Sequence, residues 1–226
     1  MIIKKILLFF VFVIFLSNCI SGQSNKELGN WFMYNGKHKI SKKWSIETMA
    51  HFRYYEFAKN FQQEIYRVAT NYTINKKLNA SIGYSYVNTD FLFGEPASIT
   101  YENRLYEDIN YTHFSSKLKF RHRIRFEHRL IRTNLTNNDS HWFRYDLNLS
   151  YPIAKNLAVY AFNELFLNLD RRKRFVQNWT GFGLLQTLNK SIKFNIGYLH
   201  IKLPIEIQNR LLLGIILNTN HTLTNK

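Results

Sequence analysis

One stretch of the sequence concentrates charge on alternate residues. Between Lys117 and Arg132, the residues Lys119, Arg121, Arg123, Arg125, Glu127 and Arg129 take every second position, while Leu118, Phe120, Ile124, Phe126 and Leu130 fill most of the others. Guanidinium and ammonium groups in such a row can replace water around an anion, the chemistry by which basic rings pass anionic solutes. Facing Asp and Glu, the same row becomes a salt-bridged plug, because a charge away from water is costly unless paired. Arg53, Arg67, Arg104 and Arg144 are candidates to join the basic track. Glu47, Glu64, Glu102, Asp146 and Glu164, with Glu127 of the run itself, are candidate acidic partners. A path for small anions and a structural plug are both open on these residues.

Other chemistries are less well served. Asp139, Ser140 and His141 are consecutive, and a Ser beside a His is the material of a lipid- or lipopolysaccharide-modifying hydrolase, the alternative function. Neighbours in an extended chain face opposite ways, whereas nucleophile and base must approach within about 3 Å. There is no Gly-x-Ser-x-Gly elbow, so no residue is assigned a catalytic role. His122 and His128 share a face but stand about 20 Å apart at ~3.3 Å per strand residue. No Cys or His spacing is that of a zinc site, and neither a metal nor another cofactor is expected.

These side chains must be positioned by strands. Period-two alternation is the strand pattern, and a helix would spread the charges of Lys117 to Arg132 around its circumference. A second clear case runs from Trp44 to Tyr54. Similar runs occupy about Trp31 to His38, Phe61 to Ile74, Leu78 to Asn88, Thr100 to Tyr111, His141 to Tyr151, Leu157 to Leu167, Val176 to Leu188, Ser191 to Lys202 and Asn209 to Thr219. Most are longer than the roughly 5 to 6 residues of soluble strands and match the ~9 to 11 that cross a membrane when tilted. Ile40 to Lys43, Asn75 to Lys77, Thr112 to Ser116, Pro152 to Asn156 and Asn189 to Lys190 read as short turns. Thr89 to Ser98, Thr133 to Ser140 and Asn168 to Arg174 read as longer loops, and short turns at one end with longer loops at the other is the outer-membrane pattern. The candidate runs are odd in number, but bacterial barrels are even, so about 10 or 12 strands are expected. The hexapeptide Thr73 to Leu78 returns in similar form as Thr187 to Ile192; duplication of a hairpin and shared turn chemistry explain it equally well.

The amino terminus has its own pattern. Lys4 and Lys5 precede an unbroken apolar run from Ile6 to Leu16, and small or polar residues follow to Ser24. That is the three-part plan of a cleavable secretory signal, assigned to residues 1–23, with 24–226 forming one barrel domain. Cys19, the only cysteine, lies in this segment, where a lipoprotein signal would lipidate it. With net charge +16, the chain is no acidic solvating segment. The run from Lys117 to Arg123 has the look of a nucleic-acid surface, yet export takes the chain away from most nucleic acid. Outer-membrane lipid and lipopolysaccharide phosphate are the better partners for surplus cations. Trp44, Tyr54, Trp142 and Tyr151 stand at strand ends, where aromatic girdles are expected. Between Asn88 and Ile99 a loop carries Phe91, Phe93 and Pro96 as candidate outer contacts.

Trp44, Arg67, Gly83-Tyr84, Glu102 with Arg104, then Arg123, Arg125, Glu127 and Arg129, Arg144-Tyr145, Gln177-Asn178 and Gly197-Tyr198-Leu199 together carry a resemblance. From Trp31 to about Leu199 the chain resembles a family of uncharacterised exported proteins of Gram-negative bacteria, the domain of unknown function 2490 family, whose members are regarded as outer-membrane β-barrels. In that pattern an Arg usually follows Gln-Asn; here Trp179 stands instead. The resemblance implies fold and location and assigns no activity. The expectation is therefore an all-β, antiparallel, up-and-down transmembrane β-barrel in the outer membrane, with a soluble periplasmic β-protein as the rival. Its oligomeric state is not legible in the sequence.

Overall fold

The computed structural model describes residues 28–91, 99–133 and 136–222. The expected signal segment with Cys19 lies outside them, as do Phe93 and Pro96 of the outer loop. Every run that alternates in the sequence is a strand: β1 Gly29–Lys39, β2 Trp44–Glu56, β3 Lys59–Thr73, β4 Leu78–Asp90, β5 Ile99–Ser115, β6 Leu118–Arg132, β7 Asn137–Ala154, β8 Leu157–Asn168, β9 Phe175–Thr187, β10 Ile192–Lys202 and β11 Ile207–Asn220. Each pairs with its neighbours in sequence, and β1 meets β11 to close the barrel.

The strand count corrects the expected even number. Eleven strands enter the closed sheet, and the physical consequence falls at the seam. With an odd number the first and last strands run the same way, so β1 and β11 pair in parallel, from Gly29 opposite Arg210 to Lys39 opposite Asn220. All other pairs are antiparallel. A parallel ladder has slanted, evenly spaced bonds and is slightly weaker per residue, yet it leaves no edge exposed. No strand precedes Trp31 to restore parity among the described residues.

Turn chemistry explains one end of the barrel. Asn75 Oδ1 accepts from the backbone N–H of Lys77 at 2.8 Å and of Leu78 at 3.0 Å, and Asn189 Oδ1 does the same for Ser191 and Ile192 at 2.8 and 2.9 Å. The repeated hexapeptides are thus two copies of one Asx turn. Ser41 Oγ plays the part between β1 and β2, accepting from Trp44 N at 3.0 Å. The turn between β5 and β6 is tighter than expected, because His113 and Phe120 stack at 4.7 Å and extend the ladder to Ser115 and Leu118. Ser116 makes the reversal with φ 55°. The other end, where β1 begins, carries the two-residue connection 57–58 and the longer ones 91–98, 133–136, 169–174 and 203–206. These ends are called the turn end and the loop end below.

Candidate functional site

The polarity of the barrel is inside out. Most large exposed side chains on the outward register are apolar, among them Ile82 (61% exposed), Leu105, Ile109, Phe182 and Ile196, with Glu64, Glu107 and His128 as polar exceptions. Inward positions on β5 to β8 are charged and buried: Glu102, Arg104, Asp108, Arg125, Glu127, Arg129, Arg144, Asp146 and Glu164. Strict alternation on each strand allows this, since one register supplies the outer wall and the other the lumen.

The buried charges form a ladder across four strands. Glu102 takes a bidentate fork from Arg104 at 2.8 Å and 2.8 Å and a second fork from Arg129. Asp108 takes both Nε and Nη2 of Arg125 at 2.6 Å. Arg144 donates to Glu127 at 2.6 Å and to Glu164 at 2.7 to 2.9 Å, while Arg123 reaches Glu164 and Arg121 reaches Asp146, each at 2.6 Å. Forked, charge-assisted pairs of this kind are the strong ones. Aromatic faces complete the shell: Arg129 lies 3.6 Å from the Trp142 ring and Arg125 4.0 Å from Tyr106.

The facing wall is different. Arg53 on β2 donates to Gln63 Oε1 at 2.7 Å, and Arg67 on β3 donates to Ser85 Oγ at 2.9 Å. Neither makes an ion pair among the described residues. Arg53 instead lies 3.7 Å from the Trp31 ring and 5.3 Å from Trp179. Trp31, Leu199, Ile201 and Leu212 form a buried apolar cluster there, packed by Met33, Phe162 and Trp179.

Small residues make room for large ones on the inner wall. A Cβ at Gly83 would overlap the Tyr106 ring, and one at Gly197 would overlap the Tyr160 hydroxyl. These two strand glycines are sockets for neighbouring rings. Even so, a cavity of about 1780 Å³ remains, with walls that include Lys37, Glu47 and Lys119 near the turn end and Phe91, Ile205 and Glu206 near the loop end. At the turn end Lys119 and Lys193 on the inward register make no ion pair among the described residues, and Lys37 pairs with Glu47 at 3.0 Å.

Of the expected basic track, Lys119, Arg121, Arg123, Arg125, Arg129, Arg67, Arg104 and Arg144 all line this cavity, as do Glu102, Glu127, Asp146 and Glu164. Glu64 is the correction. On β3 the inward register is Gln63, Ile65 and Arg67, so Glu64 turns outward, where it accepts from Tyr66 Oη at 3.1 Å and Asn88 Nδ2 at 3.2 Å. Residues 64 and 67 differ in parity and cannot share a face of a regular strand. Trp142 also leaves its expected girdle: it lines the lumen and donates to Ser140 Oγ at 2.9 Å. Asp108 is the ion partner that sequence reasoning missed. Its parity with Glu102 and Arg104 was the signal available. Trp31 and Trp179 carried no such signal, because nothing in their spacing shows that side chains of β1 and β9, with β11 and β10 between them, meet in the lumen.

The serine and histidine of the hydrolase alternative part company. Ser140 faces inward toward Trp142 and Asn168, the latter donating at 3.1 Å, whereas His141 pairs with Asp170 at 3.0 Å at the loop end. The His141 backbone N–H, 2.5 Å from Asp170 Oδ2, together with its ring, holds the Asp170 carboxyl below the usual carboxylate range. His128 stands beside this pair, its ring 5.3 Å from His141 and its Nε2 3.4 Å from Glu107.

A family model described as "Protein of unknown function (DUF2490)" matches residues 28–205. No curated protein matches the chain.

Proposed function

The chain belongs to the DUF2490 family, proteins of unknown function, and from its barrel we propose an outer-membrane protein that lets small anionic solutes cross through a basic, charge-paired lumen. The observation that carries this reading is the inverted polarity around a cavity of about 1780 Å³. An apolar exterior over most of a closed sheet is far larger than the few hundred Å² that a soluble monomer exposes. In lipid the same exterior is the favoured surface, and a closed barrel satisfies every backbone group.

Further features support the membrane assignment. The strands run from 11 to 18 residues, enough for the ~9 to 11 that a tilted span requires. Phe32, Tyr54 and Phe61 gather outside near the loop end, their rings 6.0 to 6.4 Å apart, and Trp44 and Tyr72 pair at 4.7 Å near the turn end. Aromatic residues at both interfaces suit headgroup depth. The exposed run Arg171, Arg172, Lys173 and Arg174 in the loop after β8 would meet lipopolysaccharide phosphate if the loop end faces out. The three-part amino-terminal pattern supplies a route of export.

Anion passage rests on the sign of the lumen. Lys119, Lys193, Arg53 and Arg67 add positive charge that no carboxylate of the ladder neutralises, and charge rings of one sign select the opposite ion. The test is ion conductance and reversal potential of the refolded chain in a planar bilayer under a salt gradient. An anion-selective current is expected. Silence from folded protein would make the ladder a structural plug, and release of the chain from membranes by alkaline carbonate would overturn the membrane assignment.

A further inference from the structure

We propose that Arg53, Trp31 and Trp179 form a binding station for a small carboxylate with a short apolar body, a deepening that rests on the anion-passage reading above. Three unpartnered donors belong to adjoining side chains in this part of the cavity wall. Arg53 Nε, Trp31 Nε1 and Trp179 Nε1 are each buried, and each lacks a hydrogen-bond acceptor among the described residues. Indole and guanidinium nitrogens donate and cannot accept, so this cluster cannot satisfy itself. A buried donor without an acceptor is costly, and three in one patch call for a ligand that only accepts.

The surroundings hold these donors in place. Trp31 and Trp179 meet edge to face at 5.0 Å, and the Arg53 guanidinium lies 3.7 Å from one ring and 5.3 Å from the other. Gln63 anchors Arg53 from the side: its Nε2 donates to Thr89 at 2.6 Å, which turns its carbonyl oxygen to Arg53 at 2.7 Å. That contact is neutral and leaves the cation uncompensated. Trp31 is 4% exposed, a degree of burial at which an unpaired donor has no compensation from bulk water.

Charge and shape name the ligand class. Arg53 lies within electrostatic reach of Arg67, Arg104 and Arg144 on the walls around it, with Glu164 the opposing acid, so a single negative charge is favoured there. A planar carboxylate suits a guanidinium edge. The apolar cluster of Leu199, Ile201 and Leu212 beside Trp31 would receive a short hydrocarbon body, which chloride and sulfate lack.

Tryptophan fluorescence of the folded barrel in detergent reads the station directly, with sodium butyrate as the probe and sodium chloride at matched ionic strength and neutral butanol as controls. A saturable response to butyrate alone is expected. Arg53→Gln should raise the midpoint at least about tenfold, the loss of one charge-assisted hydrogen bond. Trp31→Phe, which keeps one aromatic ring but removes the N–H donor with the rest of the indole, should raise it severalfold with the remaining tryptophans as reporters, and covers the case in which Arg53→Gln does not fold. No saturable response, equal midpoints for butyrate and a control, or parent-like titration by both folded variants would overturn the station. Saturable butyrate binding by a barrel that passes no current would uphold the station and overturn only the passage reading. Current without saturable binding would do the reverse.

Discussion

Arg123 on β6 reaches past β7 to place its Nη2 2.6 Å from Glu164 Oε1 on β8. Glu164 is also held by Arg144 at 2.7 Å, so one buried carboxylate ties three strands. Removing its charge leaves Arg123 without its carboxylate partner and Arg144 with Glu127 alone. Glu164→Gln should destabilise the folded barrel by about 3 kcal/mol, read as a lower urea midpoint for loss of heat-resistant gel mobility. Adding Arg123→Gln should recover part of the loss, because the second change removes the uncompensated cation. A double variant no more stable than the single one would mean that Arg123 contributes nothing through Glu164.

Gly83 and Tyr106 face each other on adjacent strands, and the ring fills the space a Cβ would need. Gly83→Ala should therefore cost about 1 to 3 kcal/mol by overpacking. Tyr106→Leu, which frees that space, should make Gly83→Ala nearly neutral in the double variant. Additive losses in the same urea experiment would count against the socket.

How much of this was legible in the sequence follows from what period two can and cannot carry. Alternation between Lys117 and Arg132 exposes both faces of β6, and the same parity places Arg104, Glu102 and Arg144 inside. It also places Asp108 inside and Glu64 outside, a consequence readable only when each strand is followed in register. Parity along one strand says nothing about which strands close the ring. The parallel β1–β11 seam pairs residues nearly a whole chain apart, and the meeting of Trp31 and Trp179 inside the lumen depends on the ring that this seam closes. The general rule that bacterial barrels are even-numbered argued against the count that the alternating runs themselves carried.

The seam is open to a chemical test. Phe32 and Leu213 are Cα partners in the parallel register, within the Cα separation that disulfides span. In a background with Cys19 replaced, the pair Phe32→Cys and Leu213→Cys should oxidise to an intramolecular disulfide seen as a mobility shift under denaturing conditions. Phe32→Cys with Leu217→Cys, displaced along β11, should not. Crosslinking of the second pair alone would shift the register, and failure of both in folded protein would open the seam.

Asp170 ties the loop 169–174 to β7 through His141. Its carboxyl is held below the usual range in the folded chain, so the anchoring is present above the unfolded carboxyl pKa and is lost as pH falls through the lower folded value. Protection of the His141 amide from hydrogen exchange, corrected for intrinsic rates, should fall only in acid below about pH 4. Asp170→Asn should abolish that pH dependence. Unchanged acid sensitivity in the variant would assign it to another group.

At the turn end, Lys119 and Lys193, which make no ion pair among the described residues, supply positive charge near the mouth, while Glu47 offsets Lys37 at 3.0 Å. The two signs predict opposite effects on ion selectivity. Lys119→Gln with Lys193→Gln should move the reversal potential toward the unselective value, and Glu47→Gln should move it further toward anions. Both shifts should be large at low salt and fade near 1 M, because the screening length shrinks from ~30 Å at 0.01 M to ~3 Å at 1 M. The ladder charges behind the mouth are paired at contact distance and screened much less. A selectivity that survives 1 M salt and ignores the lysine changes would therefore move its origin from the mouth to the lumen wall around Arg53 and Arg67.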